Sequence, residues 1–473
     1  MRAAVLRDGR MIYRDDVPDP VPESGQVLVG VRACGICGSD LHFAAYGANV
    51  LEMGDRIAGG AGGMQVDLNR DVFMGHEFSA EILEAGPDTE THPPGTLVTS
   101  LPVLLSAKGV EPIIYSNNTI GGYAERMLLS ALLLQPIPNG VSFKYAALTE
   151  PMAVGLHAVN KSNIAPGEKA LVLGCGPIGM AIIAALRARG VETIAAADFS
   201  PKRRELATAM GAHQVLDPVQ GSPFDSVKPA VVFEAVGVPG IIDDVLSRAR
   251  PGTRLVVAGV CMQPDTVYPF FAIAKEINVQ FVLAYTPEEF AESLRAIAEG
   301  DIDVAPLITG EVGLDGVGRA FDDLADPERH CKILVTPWAI RGVARPPVLS
   351  DGSGRPSGGR RVHAPAGVGS GGATDVRRFN VTRYRDRLQP DDTAAIWVSG
   401  RHAASTAWRL LPPMRLARLT FTETRFSRTL GGCARKISVS GSRQSTSAMG
   451  AGLTSRSCGQ SSRQTHDLRV RKF

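Results

Sequence analysis

From about residue 168 the chain alternates between short apolar runs and longer stretches with helical spacing. The runs Ala170–Leu173, Thr193–Ala197, Ala230–Ala235, Arg254–Ala258 and Val279–Ala284 have strand length. Between them, Ile178–Arg189, Pro201–Met210 and Ile241–Arg250 carry the apolar period of helices. Alternating β and α at this spacing predicts a parallel sheet covered by helices on both faces. Residues 1–150 have another rhythm. Short apolar runs such as Gln26–Val31 and Glu81–Glu84, cut by Pro and Gly, predict a mainly β region. After the parallel segment the pattern predicts a helix over about Pro287–Glu299, an amphipathic piece near Gly316–Leu324 and a last strand, Cys331–Val335. No internal repeat is visible.

Past Pro337 the pattern stops. Residues 339–473 hold 22 Arg and two Lys, many Ser and Gly, and no sustained hydrophobic period. Such a segment cannot bury enough apolar surface to offset its ordering entropy, so it is expected to be disordered. Charge divides at the same place: residues 1–338 carry 26 Lys+Arg against 41 Asp+Glu, and residues 339–473 carry 24 against 7. The overall +2 therefore averages an acidic body and a basic tail. Basic nucleic-acid tails use Lys as well as Arg and seldom carry stray Trp such as Trp397 and Trp408. Composition thus favours an extension without function, for instance an off-frame reading of GC-rich sequence, and nucleic acid is not an expected partner. Seven scattered cysteines, an odd number, fit a reducing compartment. The N-terminus has only a four-residue apolar run before charge returns, which is no signal peptide. No apolar stretch approaches the ~20 residues of a membrane span. A cytoplasmic protein without a membrane partner is expected.

The strand Ala170–Leu173 runs into Gly174-Cys175-Gly176-Pro177-Ile178-Gly179, and a helix follows at once. Gly174 allows the tight turn, Gly176 lets backbone approach a pyrophosphate, and Gly179 lets helix pack on strand. The helix start, Pro177-Ile178, presents free N–H groups to phosphate. Asp198 ends the next strand 19 residues after Gly179, where a carboxylate accepts from the ribose 2′-OH and repels a 2′-phosphate. That points to NAD rather than NADP, with Lys202 and Arg203, followed by Arg204, as nearby positive charge. The competing view makes the glycines plain turn residues and Asp198 a helix cap; the complete strand–loop–helix context weighs against it. Cys175 reads as a small packing residue rather than a nucleophile.

A second constellation is Cys37-Gly38-Ser39-Asp40-Leu41-His42, then Gly75-His76-Glu77 and Glu150-Pro151. A thiolate, an imidazole and carboxylates make a mixed ligand set that suits Zn²⁺, and a catalytic site uses about three protein ligands with one position open. Any one of these residues alone would be read as structural; the case rests on their combination. His157, in the apolar run Ala153–Val159, reads as a packed helix residue rather than a ligand.

With Gly121-Gly122-Tyr123-Ala124-Glu125 and the nucleotide fingerprint, these motifs occur in the order found in zinc-containing medium-chain dehydrogenases. The chain is most similar to their sorbitol and threonine dehydrogenase branch, over roughly residues 1–338. The resemblance implies an α/β fold: a GroES-like, β-rich catalytic domain (1–152, with 291–338 returning to it) and a Rossmann, doubly wound parallel-sheet domain (153–290). It also implies an active site in the cleft between them and a homodimer or homotetramer built partly on the Rossmann sheets. By position Cys37 and His76 resemble zinc ligands. Glu77 resembles a carboxylate that binds zinc in some members, and Glu150 stands where the family places a third ligand or a residue holding the zinc-bound water. Which glutamate binds directly stays open. Asp40 resembles the carboxylate that orients the His76 imidazole, and Ser39 and His42 resemble the proton relay. The implied reaction is hydride transfer between a secondary alcohol or polyol and NAD, with zinc stabilising the alkoxide much as it lowers the pKa of bound water to roughly 7. Ser39 would take the proton and His42 would pass it to solvent near neutral pH.

Three departures matter. Residues 78–149 contain no cysteine, so the four-cysteine structural zinc of many relatives is not expected, and one zinc per subunit is. The Cys37-to-His76 interval of 39 residues is long, with Gly- and Met-rich sequence around Gly47–Met64 that reads either as an insertion at the substrate mouth or as an inert surface loop. Gly38 stands where some relatives place a pyrophosphate-binding Arg. Two rival functions compete with this one. A zinc-free quinone or enone reductase conflicts with the intact ligand set. A nucleotide- or nucleic-acid-binding relative working through the tail predicts salt-sensitive binding lost on removing residues 339–473.

Overall fold

The computed structural model describes residues 1–59, 63–107, 109–138 and 140–338. The expectation of a disordered tail at 339–473 lies outside the described residues.

The chain opens with a hairpin, Ala3–Arg7 against Arg10–Arg14, closed by Asp8 and Gly9. Both turn residues have positive φ (49° and 73°), as a two-residue turn matched to strand twist requires. The main sheet of this half has seven strands. Its path runs Ile308–Val312, Lys332–Val335, Gln26–Gly35, Glu77–Ala85, Leu97–Ser100, Leu134–Pro136, with Arg126–Ser130 also on Gln26–Gly35. Strands near both ends of the described chain thus share one sheet. Val27, Val29, Val31, Phe78, Ile82, Met127 and Ile333 fill its core.

The second half is a six-stranded sheet, all parallel. Its order is Gln214–Leu216, Thr193–Ala197, Lys169–Leu173, Val231–Glu234, Arg254–Val257, Asn278–Phe281. The first strand in sequence lies centrally and the order reverses beside it, the doubly wound arrangement expected from the alternating pattern. Successive residues serve opposite faces. Ala170, Val172, Ile194, Ala196, Val231 and Phe233 pack into one core, while Leu171, Ala195, Ala197 and Val232 pack into the other.

Two helices carry the crossings between the halves. Thr149–Ser162 leads into the parallel sheet and buries Met152, Ala158 and Val159 in the same core as Ala170 and Val172. Pro287–Glu299 leads out, its start fixed by a capping box between Thr286 and Glu289.

One region differs from the sequence reading. The stretch from Gly47 onward, read there as an insertion or loop, is helical as far as Ile57, in a 20-residue helix Gly38–Ile57 bent at Tyr46. Gly47 and Gly54 signalled a loop, but Phe43, Gly47, Val50 and Leu51 follow a helical period. Phe43 and Gly47 are buried, Val50 and Leu51 pack on the core, and Leu68 closes on Gly47. The last parallel strand is also shorter than its apolar run: Asn278–Phe281 ends before Ala284, whose φ of 57° leaves the strand region.

Candidate active site

Cys37 stands at the start of the helix Gly38–Ile57 with extended backbone (φ −87°, ψ 151°), which places its sulfur beside the free N–H groups of the first turn. Its own N–H donates to Asp40 Oδ2 at 3.1 Å. Asp40 is fully buried and also accepts from the Tyr123 hydroxyl at 2.5 Å. Its other oxygen lies 3.5 Å from His76 Nδ1, and neither of those two atoms has a hydrogen-bond partner. The Asp40–His76 pairing read from sequence is therefore present as a close contact, longer than a hydrogen bond.

His76 precedes the strand Glu77–Ala85 and follows Gly75, whose φ is 97°. A Cβ on Gly75 would meet Tyr123 Cδ1 at 2.8 Å, so glycine is required for the segments to touch. Burial alone would depress the imidazole pKa, but Asp40, Cys37 and Glu150 hold it well above its ordinary value. Glu77, next in the chain, is fully buried and accepts from Lys332 Nζ with both oxygens, at 2.7 and 2.8 Å. Lys332 is 1% exposed and also donates to the Ile36 carbonyl at 3.0 Å.

Ligand atoms of Cys37, His76 and Glu77 all lie within 4.8 Å of one another. Zinc at ordinary bond lengths sets sulfur and nitrogen ligands about 3.5 Å apart, so a small adjustment would seat it. The donor set fits as well: a thiol, an imidazole and surrounding carboxylates. Glu150 stands in the first turn of Thr149–Ser162 and is not in that tight group. It nevertheless feels His76 and Glu77, and burial, with Glu77 adding, pushes its pKa up to about 7. Burial, and then the Glu150 charge nearby, raise the Tyr285 pKa.

Ser39 and His42 lie three residues apart on the helix, hence on neighbouring positions of one face. The Tyr115 ring stacks on Phe43 with centroids 3.8 Å apart. Burial lowers the His42 pKa, and its buried Nδ1 has no partner. A neutral imidazole with a free nitrogen can accept a proton.

In the parallel half, Gly174 has φ 89° and the helix Pro177–Ala188 begins directly after Gly176, with Pro177 and Ile178 in its first turn. A Cβ on Gly179 would lie 1.9 Å from the Gly174 carbonyl, whereas one on Gly176 would meet nothing within 4 Å. Gly179 thus serves packing, and Gly176 faces open space that a pyrophosphate can enter. Asp198 follows the strand Thr193–Ala197 and accepts from the Cys175 N–H and the Ser200 N–H, both at 2.8 Å. Arg204 donates to the Asp198 carbonyl at 2.8 Å, Arg203 Nε is buried without a partner, and Lys202 is exposed. Cys175 is buried, and its thiol is pushed up to about 12 by burial, consistent with a packing role. His157 is a packed helix residue too, its Nδ1 2.7 Å from Glu289 Oε2.

Sequence reasoning did not single out Tyr115, Tyr123, Tyr285 or Lys332 as functional. Tyr123 stands inside the motif Gly121-Gly122-Tyr123-Ala124-Glu125, and Lys332 is a charge inside a buried strand run, so both carried a signal. Tyr115 and Tyr285 carried none, because only the fold brings their segments to the site.

Two family models match the chain: one described as alcohol dehydrogenase GroES-like domain over residues 23–139, and one described as zinc-binding dehydrogenase over residues 177–299. (R,R)-butanediol dehydrogenase of Bacillus subtilis (strain 168) is 30% identical over 356 residues, covering 71% of this chain and 100% of that protein. Sorbitol dehydrogenase of the same organism is 26% identical over 359 residues, covering 71% of this chain and 97% of that protein. The crystal structure of 2R,3R-butanediol dehydrogenase from Bacillus subtilis superposes with a TM-score of 0.61 at 28% identity, over 71% of this chain and 99% of that one.

Proposed function

Since the chain belongs to the zinc-type medium-chain alcohol dehydrogenase family, we propose that it oxidises a secondary alcohol or polyol with NAD at a single zinc centre. It is an alcohol or polyol oxidoreductase, and the zinc-free reductase and nucleic-acid-binding readings are not favoured. The carrying observation is the approach of Cys37, His76 and Glu77 to within 4.8 Å, in a chain that also holds a dinucleotide loop. Residues 1–152 and 291–338 form the metal-binding half in this reading, and 153–290 the nucleotide half.

Zinc, when bound, supplies a Lewis acid that acidifies the substrate hydroxyl, and the nicotinamide supplies the hydride acceptor. Cys37 and His76 would hold the metal. Glu77 is already engaged by Lys332, which favours Glu150 as the group completing the site or holding its water. Asp40, fixed by Tyr123 and the Cys37 N–H, faces the His76 ring and aims its other nitrogen. Ser39 receives the hydroxyl proton and His42, kept neutral by burial, passes it outward. Gly174, Gly176 and the helix start at Pro177 and Ile178 cradle the pyrophosphate, and Asp198 exchanges its Cys175 bond for the ribose hydroxyls. Arg203, whose buried Nε has no partner, would be a further contact for the cofactor.

Among the described residues no helix is long and apolar enough to cross a membrane, and a cytoplasmic setting is part of the proposal. So is a homodimer. The strand Asn278–Phe281 ends the parallel sheet with one free edge, flanked by Phe270, Ile273, Phe281 and Leu283, each more than 60% exposed.

The test is NADH formation by the full-length, metal-analysed protein with a panel of diols, polyols and secondary alcohols, beside a Cys37→Ser control. Turnover with about one zinc per chain, both lost in the variant, is expected. No zinc and no turnover would sink the mechanism.

A further inference from the structure

The parallel sheet has a second edge, away from the nucleotide loop. Gly174 and Asp198 follow the C-terminal ends of their strands, whereas His213 directly precedes the strand Gln214–Leu216. Beside His213 a cavity of about 440 Å³ opens between the helix Pro177–Ala188, the turn after Pro201–Ala209 and residues 300–303. That volume lies within the roughly 300–1,000 Å³ of small-molecule sites. Its floor is apolar: Ala184, Met210, Ala212 and Ile302 are buried in the core of the parallel half.

One part of the rim carries two donors, each held from behind. The His213 N–H donates to the Ile194 carbonyl at 2.8 Å, and the His213 ring Nδ1 accepts from the Ile194 N–H at 3.0 Å. A ring whose Nδ1 accepts carries its hydrogen on Nε2, an assignment fixed by the backbone donor. Arg187 Nη1 stands 3.2 Å from that Nε2, and a guanidinium nitrogen can only donate. The two groups therefore cannot bond each other, but they can share an acceptor. Gly211 sets the arginine: its φ is 111°, and a Cβ there would meet Arg187 Cγ at 2.8 Å. A cation in the last turn of a helix meets the favourable end of the dipole. That effect does not aim it at a ring N–H; the contact with Gly211 does.

The remaining polar lining is acidic. Asp301 Oδ2 has only a 3.7 Å approach to Arg295, and Asp303 gives Oδ1 to the Ala305 N–H at 3.0 Å. A simple anion would be drawn by the first pair and repelled by the second. A molecule with a carboxylate at one end, an ammonium at the other and an apolar stretch between them satisfies both and covers the floor.

We propose that this cavity binds an aminocarboxylate. Its carboxylate lies on Arg187 Nη1 and the His213 Nε2–H, its ammonium faces Asp301 and Asp303, and its methylene chain rests on the floor. Paired N–H donors of this kind take a carboxylate as a fork. The donors sit at the N-terminal edge of the strands, so the occupant does not compete with a nucleotide bound beside Gly174 and Asp198. The site shares no residue with the proposed metal centre, so either reading can fail without the other.

Calorimetric titration of the full-length protein tests this with 6-aminohexanoate and its shorter ω-amino homologues, beside hexanoate and hexylamine. At least one aminocarboxylate should bind with a Kd below about 10 mM, and about tenfold tighter than either one-ended control. Arg187 is exposed, so Arg187→Gln should keep the parent Tm while weakening the aminocarboxylate about tenfold, the worth of a hydrogen bond between charged groups. Asp301→Asn with Asp303→Asn should weaken the aminocarboxylate and spare hexanoate. Saturating NADH should leave the affinity unaltered. Absence of aminocarboxylate binding overturns the proposal, as does hexanoate binding equally well. So does an Arg187→Gln protein that binds as the parent does, or displacement by NADH.

Discussion

Lys332 and Glu77 form a pair that the fold encloses almost completely, with exposures of 1% and 0%, and the Ile36 carbonyl takes a further Lys332 proton. Replacing Lys332 by Met keeps the length of the side chain and removes its charge, which leaves the Glu77 carboxylate buried and uncompensated. Removing one partner of a buried pair costs about 3–5 kcal/mol, most of it the desolvation of the charge left behind. For a domain of this size that corresponds to a fall in Tm on the order of 10 °C. The assay is thermal unfolding of zinc-stripped protein followed by circular dichroism. Zinc-loaded Lys332→Met should lose less, because the freed carboxylate can turn to the metal, and the double variant Lys332→Met with Glu77→Gln should recover much of the loss.

The pH dependence carries its own sign. Burial alone would lower the Lys332 pKa, but Glu77 and then Cys37 raise it above the ordinary lysine value. A folded pKa raised above the unfolded one gives stability that is complete below the unfolded pKa, about 10.4, and lost only as pH rises through the folded one. Since a buried carboxylate without its partner resists ionisation, the gap should hold or widen, and not narrow, from pH 6 to 9. A loss under about 1 kcal/mol, or a gap that fades across that range, would refute the enclosed pair.

Asp198→Ser removes the carboxylate that repels a 2′-phosphate, with Lys202, Arg203 and Arg204 left in place; the ratio of kcat/KM for NAD over NADP should fall at least tenfold, and an unchanged ratio would mean that Asp198 does not read the ribose. Phe281→Asp puts a charge on the free edge of the parallel sheet. Sedimentation should show a monomer where the parent is a dimer, and a variant that sediments as the parent does would place the interface elsewhere.

The parallel half was legible because strands buried on both faces are written as apolar runs, and the glycines between them report local needs. Gly174 must reach positive φ and Gly179 must let a carbonyl approach to 1.9 Å of where a Cβ would stand, so both are readable one residue at a time. The donor side chains Cys37, His76, Glu77 and Glu150 were readable for the same reason: their chemistry belongs to the residue. The helix beyond Gly47 was misjudged because glycine signals a break locally, while the packing of Phe43, Val50, Leu51 and Leu68 that overrides it is distant information.

What each glutamate does was decided only by the tertiary structure. In sequence Glu77 sits beside His76 and resembles a metal ligand; in the fold a lysine 255 residues away has claimed both its oxygens. Glu150 stands outside the tight group of Cys37, His76 and Glu77, and burial pushes its pKa up to about 7. A side chain's donor atoms are fixed by its identity, but their occupancy depends on what the folded chain brings within about 3 Å, and no spacing along the sequence encodes that distance.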